Sequence, residues 1–287
     1  MISNSSVIKG IAFILAAGLL IASMDGFGKA LTGELPVLQV VWARYFFHTV
    51  VMTAILLRTS GTNFLRTRRP VLQLTRGGLL IVVTVLIYTA MPHISLADAT
   101  AIQFFAPVLV TVLSVFFLGE RIGLHRIVAV IAGFVGVLMI VQPGFGETNP
   151  YLLLPLVAAL ALAGYFMMTR KLSGTEEADS TLFNTTAAGA VVLTLVVPLV
   201  WETPSLPMLG QMVALGTFGA LGHACLVRGF AQAPASVLSP FLYSQVLFAT
   251  LYTVVLFGDP LRPSLIAGTG LLVASGLYIW WRERRLG

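Results

Sequence analysis

Seven polar side chains stand inside otherwise apolar runs, and their types and spacing define the chemistry open to this chain: Asp25, Lys29, Arg44, His48, Gln103, Tyr243 and Gln245. Asp25 and Lys29 lie one helical turn apart and therefore share a face. They could form a coupling carboxylate with an exchangeable partner, or a neutralised pair whose lysine snorkels outward. Arg44 presents a planar fork suited to a carboxylate or phosphate, or it could bridge to Asp25. His48, a turn further along the same face, either joins Arg44 or packs as a hydrogen-bonded histidine. Gln103 could hydrogen-bond a ligand or glue two helices together. Tyr243 and Gln245 could orient a bound molecule, an aromatic-lined pocket with few polar groups being what a small-molecule site requires. Ionisable groups placed in apolar runs cost a few kcal/mol or more and by default mark function.

Those groups must be carried by the elements around them. Apolar runs long enough to cross a bilayer, about 20 residues each, recur to the C-terminus with short polar breaks. The 287 residues are 57% hydrophobic and only 10% charged, where a soluble domain has about 25% charged residues. The fold class that follows is an all-α polytopic membrane protein. Ten spans are expected, near Ile8–Leu31, Pro36–Leu57, Leu74–Met91, Ser95–Leu118, Leu124–Val141, Tyr151–Lys171, Thr181–Trp201, Leu209–Arg228, Ala235–Phe257 and Pro263–Trp281. Strands are a poor alternative, because a membrane barrel alternates every second residue. The first run carries Asp25 and Lys29 and lacks a small-residue cleavage pattern, which reads as a retained span rather than a leader. With a rise of 1.5 Å per residue, Arg44 and Gln103 each lie about 12 Å, and Asp25 about 9 Å, below the same surface. Gly26 and Gly28 beside Asp25 could break the first helix locally, as in many transporter sites.

Cation placement sets orientation. If the N-terminus is cytoplasmic, one side collects fourteen of the 17 lysines and arginines, and only Lys29, Arg44 and Arg262 lie elsewhere. Both termini then face the cytoplasm, and Arg58, Arg66, Arg68, Arg69 and Arg76 mark one strongly basic side. The net charge of +6 is thus a topological signal, and nucleic acid is not an expected partner. Asp98 reads as a helix cap and Glu120–Arg121 as a corner. Arg228 reads as a loop anchor or an inner-gate cation. His223 and Cys225 lack ligand spacing and read as packing, while Tyr165 stands with the mid-membrane aromatics. Gly133, Gly136 and Gly270 offer small faces for helix contact.

The chain also repeats. From Leu96 it reads LADATAIQFFAPVLVTVLSVFFLGERI, and from Pro234 PASVLSPFLYSQVLFATLYTVVLFGDPL; aligning Gly119–Glu120 with Gly258–Asp259 sets an offset of 139 residues. Thr111 then matches Thr250, and Val115 matches Val254. Each segment is the fourth span of a five-span block. Five is odd, so the blocks insert with opposite orientation, the inverted-repeat arrangement of many secondary transporters. The expected units are 1–145 and 146–287, parted within the turn-rich QPGFGETNP segment.

APVLVTVLSVFFLGERI, the span count and the paired blocks resemble the EamA family of the drug/metabolite transporter superfamily, over nearly the whole chain. SMDGFGKAL and VVWARYFF further resemble the subgroup of S-adenosylmethionine and riboflavin uptake proteins. The resemblance implies a secondary transporter in the inner (cytoplasmic) membrane. Its cargo would be a small polar or zwitterionic metabolite, with export of an amino-acid-derived compound first and uptake of a bulky metabolite such as S-adenosylmethionine or riboflavin second. A proton or counter-substrate, and self-association, stay open as partners. No phosphate loop, zinc motif or serine elbow occurs in the sequence, so no cofactor, resident metal or catalytic residue is expected.

Overall fold

The structure, a computed structural model, describes residues 4–118, 124–142, 149–172 and 174–286; the side chains of 4–5, 114–118, 126, 235–236 and 283–286 are outside this description. The described residues are helical or in turns. The helices are α1 (Asn4–Thr32), α2 (Val37–Ser60), α3 (Pro70–Ala90), α4 (Leu96–Gln103), α5 (Ala106–Leu118), α6 (Leu124–Val141), α7 (Leu153–Leu172), α8 (Ala178–Asn184), α9 (Ala187–Val196), α10 (Leu206–Gln232), α11 (Ala235–Leu238), α12 (Ser244–Val255) and α13 (Pro263–Leu286). Eight helical stretches are long and apolar enough to cross a membrane, and Ile127–Val141 and Ser239–Val255 are shorter apolar helices. Leu195, Leu199, Leu206 and Leu247 are more than two-thirds exposed. Such an apolar exterior would be a liability in water and suits lipid.

Local chemistry sets the helix limits. Pro70 begins α3 where its missing N–H costs nothing, and Ser95 caps α4 by accepting from the Asp98 amide at 2.9 Å. Pro107 cannot donate to the Gln103 carbonyl, and the chain breaks between α4 and α5 at Phe104–Phe105. Pro240 sits in a 3-10 turn between α11 and α12, so the segments from Leu96 and from Pro234 are both interrupted. The break expected near Asp25 does not form: α1 runs unbroken through Gly26 and Gly28. Gly28 instead admits a neighbour, since a Cβ there would lie 2.7 Å from the Tyr88 ring. Its value is close approach, and helix propensity survives because packing outweighs the glycine cost.

The helices pack as α1 on α10 and α12, α3 on α7, α2 on α9 and α10, α4 on α12, and α6 on α13. Gly136 and Gly268 let α6 and α13 approach until backbones touch: a Cβ on Gly136 would lie 2.8 Å from the Gly268 carbonyl oxygen. Gly133 packs on Val108 and Ser275, whereas Gly270 faces open space, so the small face of α13 is carried by Gly268. Gly119 and Glu120 lie outside the described residues. Their counterpart is visible: Gly258 takes φ +66, a backbone state that favours glycine, and turns Asp259 back toward α1.

Candidate functional site

A cavity of about 600 Å³ runs through the centre of the bundle. At its deep end it is lined by Asp25, Arg44, Thr84, Gln103 and Gln245, and it extends past Arg76, Tyr165 and Thr185 to Gly174 and Glu176 at the far mouth. Phe104, Phe166 and Phe230 supply aromatic walls, and Ile21, Leu80, Val83 and Leu162 supply apolar ones. Four of the seven residues singled out by sequence therefore meet here: Asp25, Arg44, Gln103 and Gln245.

Asp25 is 5% exposed, and Arg44 is half-buried with its guanidinium 5.6 Å from the centre of the Tyr88 ring. The two charges lie within electrostatic reach of each other, yet no direct ion pair joins them among the described residues. A carboxylate and a guanidinium on neighbouring walls, both opening into one chamber, can receive the ammonium and the carboxylate of a zwitterion. Gln103 ends α4 at the break and Gln245 begins the helix after the second break, so interrupted helices place both amides.

Lys29 does not pair with Asp25, the partner expected for it. It turns away from Asp25 and donates to the Asp259 carboxylate at 3.0 Å and to the Ile94 carbonyl at 2.7 Å, with Phe257 beneath it. The reason is reach: the Gly258 turn brings a carboxylate to the end of α1, and the ion pair lies near the helix end where the ammonium is least desolvated. Beside it Arg262 donates to Asp98 at 2.6 Å, so Asp98, expected only as a cap residue, also anchors α13 to α4. These pairs close the bundle beyond Asp25. His48 is 2% exposed and lies behind the wall, its ring 5.3 Å from that of His223, and His223 lines the cavity. Tyr243 is outside the lining and packs its ring 5.2 Å from that of Phe104, which lines the cavity. Arg228 is exposed, within the last turns of α10.

Sequence reasoning missed Arg76. Counted with the basic side, it is 2% exposed. It donates through Nε to Thr169 at 2.9 Å, through Nη1 to the Gln73 amide oxygen at 2.9 Å and the Thr181 carbonyl at 3.1 Å, and through Nη2 to Tyr165 at 2.8 Å and Thr185 at 2.6 Å. A signal existed in the pattern: Gln73 precedes it by three residues, and Thr169, Thr181 and Thr185 cluster in the facing segments. At the mouth, Glu176 accepts from the backbone amides of Arg68 and Arg69 at 2.7 and 2.6 Å, fixing the basic loop.

Polar side chains converging on an internal cavity, within helices apolar outside, define a multi-pass membrane protein built to hold a small molecule. The chain belongs to the EamA-like transporter family, whose sequence profile matches residues 8–142 and 149–281. It is similar to the S-adenosylmethionine uptake transporter of Rickettsia bellii, 28% identical over 96% of this chain and 94% of that one. It is also similar to the pseudopaline exporter CntI of Pseudomonas aeruginosa, 27% identical over 93% and 94%, and to the riboflavin transporter of Brucella anthropi, 27% identical over 80% and 83%. A solved crystal structure superposes with a TM-score of 0.66 at 21% identity, covering 100% of this chain and 99% of the other; that likeness shows the fold. Family and relatives are transporters.

Proposed function

We propose that this chain is a secondary transporter of the cytoplasmic membrane, carrying a zwitterionic metabolite with an amino-acid head by alternating access. Arg44 holds the carboxylate, Asp25 faces the ammonium and couples protonation or exchange to opening, and Gln103 and Gln245 orient the head. The observation that carries this reading is the pair Asp25 and Arg44 on adjacent walls of one cavity, unbridged by a direct ion pair. The cavity exceeds what an amino-acid head needs, and Phe104, Phe166 and Phe230 favour a flat ring beyond it. Uptake of a molecule of the S-adenosylmethionine kind is therefore the first reading. Export of a smaller amino-acid-derived compound is the second, favoured by the likeness to the pseudopaline exporter.

Ten spans form two inverted five-helix repeats, 1–145 and 146–287, with both termini cytoplasmic. Support comes from the packing. Exchanging α1 with α7, α2 with α8–α9, α3 with α10, α4–α5 with α11–α12 and α6 with α13 turns the α1–α10 contact into the α3–α7 contact. It also turns the α1–α12 contact into the α4–α7 contact. The cavity mouth at Glu176 lies beside Arg66 and Arg68, on the basic side, which the cation rule places in the cytoplasm. The state described is thus open inward and closed outward by Lys29–Asp259 and Arg262–Asp98.

The test is flux of labelled S-adenosylmethionine into proteoliposomes carrying the purified protein. Saturable, protein-dependent accumulation is expected. Absence of flux in either direction, under imposed pH gradients and with internal counter-substrate, would overturn the reading.

A further inference from the structure

Arg76 is a cation without an anion. Among the described residues it pairs with no carboxylate, and its five N–H donors are all taken by uncharged oxygens. Hydrogen bonding is satisfied while charge is not, although buried charges are ordinarily paired. Glu176 lines the same cavity, but its Oε1 accepts from the Arg68 and Arg69 amides and from Thr67. The guanidinium stands over the Tyr165 ring at 4.7 Å and lines the cavity with it.

The hydroxyls around Arg76 differ in one respect. Those of Thr169 and Thr185 accept from the guanidinium and donate their own protons to the carbonyls of Tyr165 and Thr181, both at 2.8 Å. Tyr165 accepts from Nη2 and donates to no acceptor among the described residues. Its O–H is polarised by a full positive charge, held in place by that bond, and set on the cavity wall.

We propose that Tyr165, backed by Arg76, is a second subsite for an oxyanion, carboxylate or phosphate, between the cavity mouth and the Asp25–Arg44 level. Counted from the linked ends of α2 and α3, at Ser60 and Pro70, Arg76 lies about ten residues nearer the mouth than Arg44, roughly 15 Å by helix rise. An anionic group entering from the mouth meets the Arg76 field first, accepts a hydrogen bond from the Tyr165 hydroxyl, and passes on to Arg44. The subsite rests on the transport reading for its role but not for its chemistry, so the two are separable by experiment.

The experiment uses purified full-length Arg44→Gln, which silences the deeper cation, and reads melting temperature and tryptophan fluorescence against inorganic phosphate and, separately, acetate at constant ionic strength. Saturable binding of either anion is expected, the tighter one assigning the preferred oxyanion. Adding Tyr165→Phe, which keeps the ring over Arg76, is expected to weaken that binding about tenfold, the scale of one hydrogen bond to a charged group. If Tyr165→Phe lowers the melting temperature but leaves the anion dependence unchanged, the tyrosine is structural and the proposal fails. It fails equally if Arg44→Gln binds neither anion. Arg76→Lys, should Tyr165→Phe not fold, is expected to weaken binding as well, and undiminished binding there overturns the subsite. Failure of flux with intact anion binding would count against the transport reading alone.

Discussion

Two arginines inside one cavity are treated in opposite ways. Arg76 has every donor engaged by neutral partners drawn from α3, α7 and α8 and their flanks, whereas Arg44 leans on the face of Tyr88 and within reach of Asp25. A saturated guanidinium is a structural clamp that also sets a field; an unsaturated one is a ligand in waiting. Burial alone does not separate the two roles, but the accounting of donors does.

The largest expected effect falls on the unsaturated member. Arg44→Gln should lower S-adenosylmethionine flux by about 100-fold, the scale of losing a desolvated charge-assisted pair, while the melting temperature stays near that of wild type. A large fall in melting temperature would instead make Arg44 a clamp too. Arg76→Gln should do the reverse first. Orphaning several of its acceptors should cost about 2–3 kcal/mol of stability, read as a lower melting temperature, with the residual folded protein keeping measurable flux. Smaller still is the effect at the closed end. Asp259→Asn removes the charge partner of Lys29, an ion pair that is 13% and 36% exposed at its two side chains and so worth about 1 kcal/mol or less. In a Cys225→Ser protein given one cavity cysteine by Gln103→Cys, it should raise labelling by an impermeant reagent from the outside by about threefold, and unchanged labelling would show that apolar packing alone closes that face.

How much of this was legible beforehand depends on the physics each signal reports. Stretches long and apolar enough to cross a membrane were readable because bilayer thickness imposes a length on apolar runs, and α6 ends at Val141 where expected. Matching depth placed Asp25, Arg44 and Gln103 together, because helix rise is constant and loops of similar kind set a common origin. Lateral facts were not readable. Depth alone cannot say that Lys29 turns outward to Asp259, since that contact crosses from the first to the ninth apolar run and needs the Gly258 turn. Arg76 was lost to the cation rule, which counts charge near span ends without asking which way a side chain points. Gly26 and Gly28 signalled a break, and Gly28 proved to be clearance for Tyr88, because a missing side chain reads the same in sequence whether it frees the backbone or admits a neighbour.

The most direct test of the account is a thermodynamic cycle on Arg44 and the ligand's carboxylate. Equilibrium binding of S-adenosylmethionine and of its decarboxylated form would be measured on wild type and on Arg44→Gln. If Arg44 grips the carboxylate, each single change weakens binding by at least about tenfold, and making both costs little more than making one. Losses that simply add would show that the guanidinium and the carboxylate do not meet, and the zwitterion site would have to be placed elsewhere in the cavity.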